Sequence, residues 1–343
     1  MVKAIALISG GLDSILAARV IKEQGIEVIP INFKIPFCHR DKEISSKGSS
    51  AVQLVKDNLG VDLKIIDIGE DFLKLIENPR HGFGSNMNPC IDCKILMLNK
   101  AGVLMKKFDA QFIVTGEVLG QRPMSQHKDA LQTIAKKSGL EGLILRPLSA
   151  KLLPETIPAS EGWLQGEALL NFAGRTRKPQ LTLAAEFGIK DFAWPAGGCL
   201  LTDPVFSERL KELIAHKELN LDNVALLKLG RHFRISGHAK LVVGRDEKED
   251  IELENLAKAG DYLFHPNEQL AGPTSLARGS LNEGLIGLSA QITCRYCDLN
   301  GATQVDIIYK RISENLGTVP AGDCPCVLEV SPLNEADLAG LRI

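Results

Sequence analysis

Ala4–Ile8 is a short, wholly apolar run that stops at Ser9-Gly10-Gly11-Leu12-Asp13-Ser14. Such a run suits a strand buried on both faces, the habit of strands in parallel sheets. Ile15, Leu16, Ala18, Val20 and Ile21 then recur at helical spacing as far as Gly25. A buried strand that turns through two glycines into a helix brings unpaired backbone N–H groups and a positive helix end to one point. That is an anion site, and the glycines let phosphate oxygens approach the backbone. The hydroxyls of Ser9 and Ser14 add donors, whereas Asp13 repels phosphate and suits a metal ion or a neighbouring donor. Neither Gly-x-x-x-x-Gly-Lys-Ser/Thr nor Gly-x-Gly-x-x-Gly is present, so this is not a Walker-type or dinucleotide loop. A Gly-rich turn with a Ser/Asp helix cap is the plainer alternative.

The pattern continues with strands predicted at Val28–Phe33, Leu63–Ile68 and Phe112–Val114, and helices at Ser46–Leu59 and Cys93–Lys107. Strands alternating with helices imply an α/β unit with a parallel, Rossmann-like sheet. Ligands bind outside the carboxyl ends of such strands, where Thr115-Gly116-Glu117 and Gln121 also fall. From about residue 224 the spacing changes. Short strands are predicted at Phe233–Ile235, Lys240–Val243, Val305–Tyr309 and Val327–Val330, with helices near Ile251–Ala259 and Gly284–Cys297. This is a smaller α+β unit. The expected division is 1–222 and 223–343.

Length and composition agree with two domains: 343 residues, 45% hydrophobic and 24% charged. These fractions exclude disordered, collagenous and coiled-coil classes. No apolar run approaches the ~20 residues of a membrane span, and the first strand is too short for a signal peptide. A cytoplasmic protein with no membrane partner is expected. The formal net charge of -2 does not announce a nucleic-acid binder, although local basic patches still can hold a phosphate backbone. Eight cysteines in a reducing compartment point to metal, cluster or sulfur chemistry more than to disulfides. They include the close pairs Cys90/Cys93, Cys294/Cys297 and Cys324/Cys326.

Ser9–Ser14 resembles the PP-loop of the ATP pyrophosphatase superfamily, which cleaves ATP between its α and β phosphates. Val114–Gln121 with Ser125-Gln126, and then Arg146-Pro147-Leu148, resemble successive motifs of the tRNA 4-thiouridine synthases. The likeness covers roughly the first 150 residues. It implies an adenine nucleotide alpha hydrolase-like fold, ATP with Mg2+, and replacement of a uridine carbonyl oxygen in tRNA by sulfur. It also assigns Ser9, Gly10, Gly11, Asp13, Ser14, Thr115, Gly116 and Gln121 to the nucleotide, with Asp13 catalytic. The PP-loop begins at residue 9, so the RNA-binding extension that precedes it in many such synthases is expected to be missing. Something else must then hold the RNA.

Asn88-Pro89-Cys90-Ile91-Asp92-Cys93 resembles a segment of the tRNA 2-thiouridylases, and Cys199, after Gly197-Gly198, falls where those enzymes carry a second cysteine. Two routes follow. Cys93 or Cys199 carries a persulfide that the other resolves, helped by a thiol pKa lowered at the helix N-terminus. Alternatively Cys90, Cys93 and Cys199 hold a [4Fe–4S] cluster whose fourth iron stays open for hydrosulfide. The sulfur donor would be a cysteine desulfurase or sulfide. A zinc site on Cys90 and Cys93, or plain burial, is the simpler alternative. Cys38, in Pro36-Phe37-Cys38-His39, could be a fourth ligand, but a lone Cys-His pair is more often incidental and it is left out of the site.

Lys240–Asp250 and Gly260–His265 resemble strands of the NFACT RNA-binding domain, covering roughly residues 224–330. Ala271-Gly272-Pro273-Thr274-Ser275 replaces that domain's usual Pro-Gly-Ser-His. Arg231, Arg234, His238, Lys240 and Arg245, with Arg175, Arg177 and Lys178, are candidate phosphate contacts. Cys294/Cys297 and Cys324/Cys326 have spacing that could hold zinc or simply be buried. A non-catalytic RNA-binding adaptor and 2-thiouridine synthesis at the wobble position stand as alternative functions.

Overall fold

The computed structural model describes residues 1–38, 50–192, 199–313 and 325–343. The predicted start of the helix at Ser46, and His39, Gly197, Gly198 and Cys324, lie outside them. The chain divides into two units, Met1–Asp203 and Pro204–Ile343.

The first unit runs β1 (Lys3–Leu7), α1 (Leu12–Lys22), β2 (Glu27–Lys34), α2 (Ala51–Leu59), β3 (Lys64–Asp67), α3 (Gly69–Glu77), α4 (Cys90–Phe108) and β4 (Phe112–Thr115). It ends with α5 (Lys128–Lys137), β5 (Ile144–Leu145), α6 (Ile157–Ser160) and α7 (Lys178–Glu186). All five strands are parallel, in the order β3-β2-β1-β4-β5. The chain winds outward from β1 through β2 to β3, then returns to place β4 on the other side of β1. That reversal is a topological switch point, and it opens a crevice between the loops after β1 and β4. Leu7 pairs with Thr115 in register, so the two loops leave the sheet side by side. Ala4, Ile5 and Ala6 are almost fully covered, and Ala4 and Ala6 share one core with Ile15, Leu16, Ile21 and Phe112. Each large aliphatic side chain so buried contributes about 1.5–3 kcal/mol.

The second unit runs α8 (Pro204–Ala215), α9 (Leu221–Leu226), β6 (Arg231–Ser236), β7 (Ala239–Val243), α10 (Glu247–Leu256), β8 (Tyr262–Pro266) and β9 (Ser275–Gly279). It closes with α11 (Glu283–Cys294), β10 (Val305–Arg311), β11 (Cys326–Val330) and α12 (Glu335–Ala339). The sheet is antiparallel, in the order β11-β10-β8-β9-β7-β6. Alternation along β7 sends Leu241 and Val243 to a core shared with α11, and Val242 to a second core that contains Leu226 and Leu253. Both faces of the strand are thus covered, which is why it carries no polar-out alternation.

The boundary falls after Asp203, upstream of the expected 222/223. Helix α8 belongs to the second unit because Glu212 is bonded to Arg234 at 2.5 Å and to Lys240 at 3.1 Å, and Arg209 donates to the carbonyls of Leu227 and Gly230. Among the described residues no helix is long and apolar enough to cross a membrane.

Candidate functional site

The turn after β1 needs a left-handed residue, and Gly10 supplies it at φ 78°. Gly11 is the N-cap of α1 and no side chain caps it, so the first-turn amides stay open to an anion. Ser14 fastens the loop: its hydroxyl donates to the Gly11 carbonyl at 2.7 Å and accepts from the Ser9 amide at 3.2 Å. Ser14 is buried and its role is partly structural. Asp13 accepts from the Gln121 side-chain amide at 3.0 Å through Oδ2, while Oδ1 is buried without a hydrogen-bond partner. Burial raises the Asp13 carboxyl above its ordinary range, against the pull of Gln121, Arg177 and Arg122.

The Thr115 loop backs directly onto this turn. A Cβ on Gly116 would stand 2.5 Å from the Ser14 amide nitrogen, so glycine is required there by close approach. Glu117 is the hub. It is buried and pairs with Lys94 at 2.6 Å and Arg146 at 2.9 Å, while Thr115 donates to it at 3.2 Å. Burial alone would raise the Glu117 carboxyl, but the two cations outweigh it and hold it at about 2. This carboxylate therefore ties the start of α4, the Thr-Gly-Glu loop and the Arg146-Pro147-Leu148 segment into one block.

These parts line a cleft of about 720 Å³. Ser9, Gly11, Asp13 and Ser14 form one wall, and Thr115, Gly116, Gln121 and Arg122 another. Ile31, Phe33 and Ile35 supply an apolar strip suited to a purine face, and Cys38, Lys94 and Arg177 reach the same space.

The thiols gather beside it. Helix α4 begins at Cys90, earlier than expected, so Cys93 lies one turn inside, with its amide bonded to the Pro89 carbonyl at 2.8 Å. The expected lowering of its pKa is not found. Burial comes first and pushes Cys93 up to about 12, with Cys90, Cys199 and Cys38 adding to the rise and Lys94 opposing it. Cys199 is pushed up to about 11 by burial, with Cys38 and Cys90 adding to the rise; a hydrogen bond with the Leu201 backbone and the charge of Arg122 oppose it. Backbone bonds carry Cys199 here: Met87 N donates to Leu201 O at 3.1 Å, and Phe37 O accepts from Leu200 N at 3.1 Å and from the Cys199 thiol at 3.4 Å. Phe37 is fully buried with its ring centroid 5.4 Å from that of Phe72, which anchors Cys38 alongside. Cys38 thus lies within electrostatic reach of Cys93 and Cys199. Nothing local in Pro36-Phe37-Cys38 signals this, because the pairing is made across the fold.

Among the described residues, no three His, Cys, Asp or Glu side chains are gathered as holders of a metal ion. Cys294 donates instead to Val330 O at 3.7 Å, and Cys297 to Thr293 O at 3.5 Å. The basic set of the second unit is mostly spent within it. Arg234 is bound by Glu212 and Glu218, Lys240 by Glu212, and Arg245 by Glu249, while Arg231 stacks on Tyr296 at 4.6 Å. Of that set His238 and Arg245 stand exposed, and Arg245 is already engaged by Glu249.

Comparison with known proteins follows the two units. Residues 1–152 match the family described as thiamine biosynthesis protein (ThiI), and residues 230–322 match the NFACT protein RNA binding domain. The chain joins a ThiI-like unit to an NFACT-like unit. A probable tRNA sulfurtransferase of Thermococcus kodakarensis is 32% identical over 150 residues, covering 43% of this chain and 36% of that protein. The tRNA-specific 2-thiouridylase MnmA 2 of Clostridium botulinum is 30% identical over 112 residues, 32% of either chain. The chain therefore spans about a third of the length of these curated relatives, from 36% to 32%. A solved 4-thiouridine synthetase–RNA complex with bound ATP is similar with a TM-score of 0.34 and 19% identity, over 65% of this chain and 53% of that one.

Proposed function

We propose that this chain is an ATP-dependent tRNA sulfurtransferase that converts a uridine to 4-thiouridine. The observation that carries the reading is the meeting of two chemistries in one cleft. The anion-binding turn of α1 and the thiol cluster adjoin the same space, with Cys38 and Lys94 among its lining residues and Arg122 within electrostatic reach of both Asp13 and Cys199.

In this reading the uridine carbonyl oxygen attacks the α-phosphorus of ATP, and the bond to the β-phosphate breaks with pyrophosphate leaving. A sulfur nucleophile then adds at the carbonyl carbon, and AMP departs with the original oxygen. The open amides of Leu12 and Asp13, with the Ser9 hydroxyl, would hold the phosphates. The unpartnered, buried Oδ1 of Asp13 fits a Mg2+ ligand, and the ion would neutralise polyphosphate charge. Cys90, Cys93 and Cys199 fit a cluster in donor type, and a cluster spaces its thiolates more widely than a single ion does. A [4Fe–4S] cluster there would supply the sulfur nucleophile beside the activated uridine. A reducing compartment such as the cytoplasm would keep these thiols available, with cysteine desulfurase or sulfide as donor. The NFACT-like unit would supply the tRNA contacts. The ThiI match is longer than the 2-thiouridylase likeness, which favours 4-thiouridine over wobble 2-thiouridine, and the formed cleft weighs against a non-catalytic adaptor.

Pyrophosphate release from ATP should depend on added tRNA; release that ignores tRNA, or none at all, refutes the reading. The cluster carries its own expectation. Anaerobically purified protein should hold about four irons per chain. Cys93→Ala and Cys199→Ala should lose both iron and thiolation, whereas Cys294→Ala, altered only in the second unit, should keep both. Iron-free protein that still thiolates tRNA would establish the persulfide route instead.

A further inference from the structure

Arg177 immediately precedes α7, in the stretch beyond the ThiI match, yet it lines the same cleft as the PP-loop. Arg122 approaches from the Thr115 loop side of that cleft. Both act on Asp13 through space, but the group bonded to Asp13 is Gln121. Among the described residues neither guanidinium is paired with a carboxylate at contact distance. This contrasts with Arg146, Arg234 and Arg278, each held by an acidic partner at 3 Å or less. Two unspent guanidiniums lining the same cleft as an open helix N-terminus make a site for a polyanion, because the planar fork of arginine matches phosphate oxygens in pairs.

The two are not equivalent. Arg122 also faces Cys199, the side from which sulfur would come. Arg177 lies three residues after Gly174, whose amide is bonded to the Leu119 carbonyl at 2.7 Å, and it lines the cleft together with Asp13. Resting on the ATP reading of the cleft, we infer that Arg177 grips the β and γ phosphates and stabilises pyrophosphate as it leaves, while Arg122 faces the acceptor side. The leaving pyrophosphate takes the electron pair of the broken P–O bond, so a cation placed there acts where charge develops. The family-matched segment alone would then lack one part of its phosphate site, and the connecting segment would complete it.

The test is calorimetric titration of the full chain with ATP, AMP and pyrophosphate, in wild type, Arg177→Ala, Arg177→Gln and Arg177→Lys. Among the described residues this side chain makes no bond, so all three should fold with unchanged melting midpoints. Arg177→Ala and Arg177→Gln should weaken ATP and pyrophosphate by about tenfold or more, the worth of a charge-assisted hydrogen bond, and leave AMP unchanged. Arg177→Lys should recover part of the loss. Unchanged ATP affinity, or AMP affinity falling in parallel, overturns the assignment while leaving the nucleotide site in place. Wild-type protein that binds no ATP overturns the nucleotide reading itself, and this inference with it.

Discussion

Asp13→Ala should lower ATP-to-AMP turnover by about a hundredfold or more while leaving the protein at least as stable as wild type. The two halves of that expectation have one origin. Asp13 is a buried carboxylate whose Oδ1 lacks a partner, and burial raises its pKa, so the folded protein gains little from keeping it. Relief of the unpartnered Oδ1 offsets the lost Gln121 bond, because the half-buried Gln121 amide can turn to water. Losing the ligand that would bring a metal ion to the phosphates removes several kcal/mol of transition-state stabilisation. Asp13→Asn, which keeps an oxygen for Gln121, should be equally inactive. Turnover of AMP and pyrophosphate, measured beside a thermal melt, checks both parts. Near-normal turnover in a stable Asp13→Ala protein would remove Asp13 from the chemistry.

Glu117→Ala should cost about 3–5 kcal/mol, because it strands the Lys94 and Arg146 charges that now converge on one buried carboxylate. The same group sets an acid limit. Its folded pKa of about 2 lies below the ordinary value of 4.5, so the unfolded chain binds the proton first as pH falls. The contribution is therefore complete above about pH 4.5 and drains away as pH drops toward 2. Denaturant midpoints from pH 7 down to pH 3 should show this slope in wild type and a shallower one in Glu117→Gln. Since Lys94 follows Cys93, the variant should also loosen the thiols against the nucleotide loop.

Much of the first unit was legible because its signals are local. A buried strand, two glycines and a helix declare the PP-loop, and Thr115-Gly116-Glu117 follows a second buried strand. The reason for Gly116 was not legible, since it rests on a close approach to Ser14 across the switch point. Cys38 was legible only as a possible fourth ligand for the same reason: its nearness to Cys199 depends on Phe37 O receiving Leu200 N and Cys199 Sγ. The basic residues of the second unit misled. Clustered in sequence on β6 and β7, Arg234 and Lys240 read as a phosphate track, yet both turn to Glu212 on α8. Those same pairs moved the domain boundary upstream, because composition changes near residue 222 while packing changes at 203. Strand β9, Ser275–Gly279, was missed as a short segment ending in glycine, although it sits between β7 and β8 in the sheet.

The central claim is that one cleft couples ATP cleavage to sulfur insertion into tRNA. Mass spectrometry of nucleosides from tRNA incubated anaerobically with the protein, ATP, Mg2+ and sulfide tests it most directly. The expected result is 4-thiouridine that forms with wild type, requires ATP and is absent with Asp13→Ala or Cys199→Ala. Unmodified tRNA from iron-loaded protein that binds both ATP and tRNA would contradict the account.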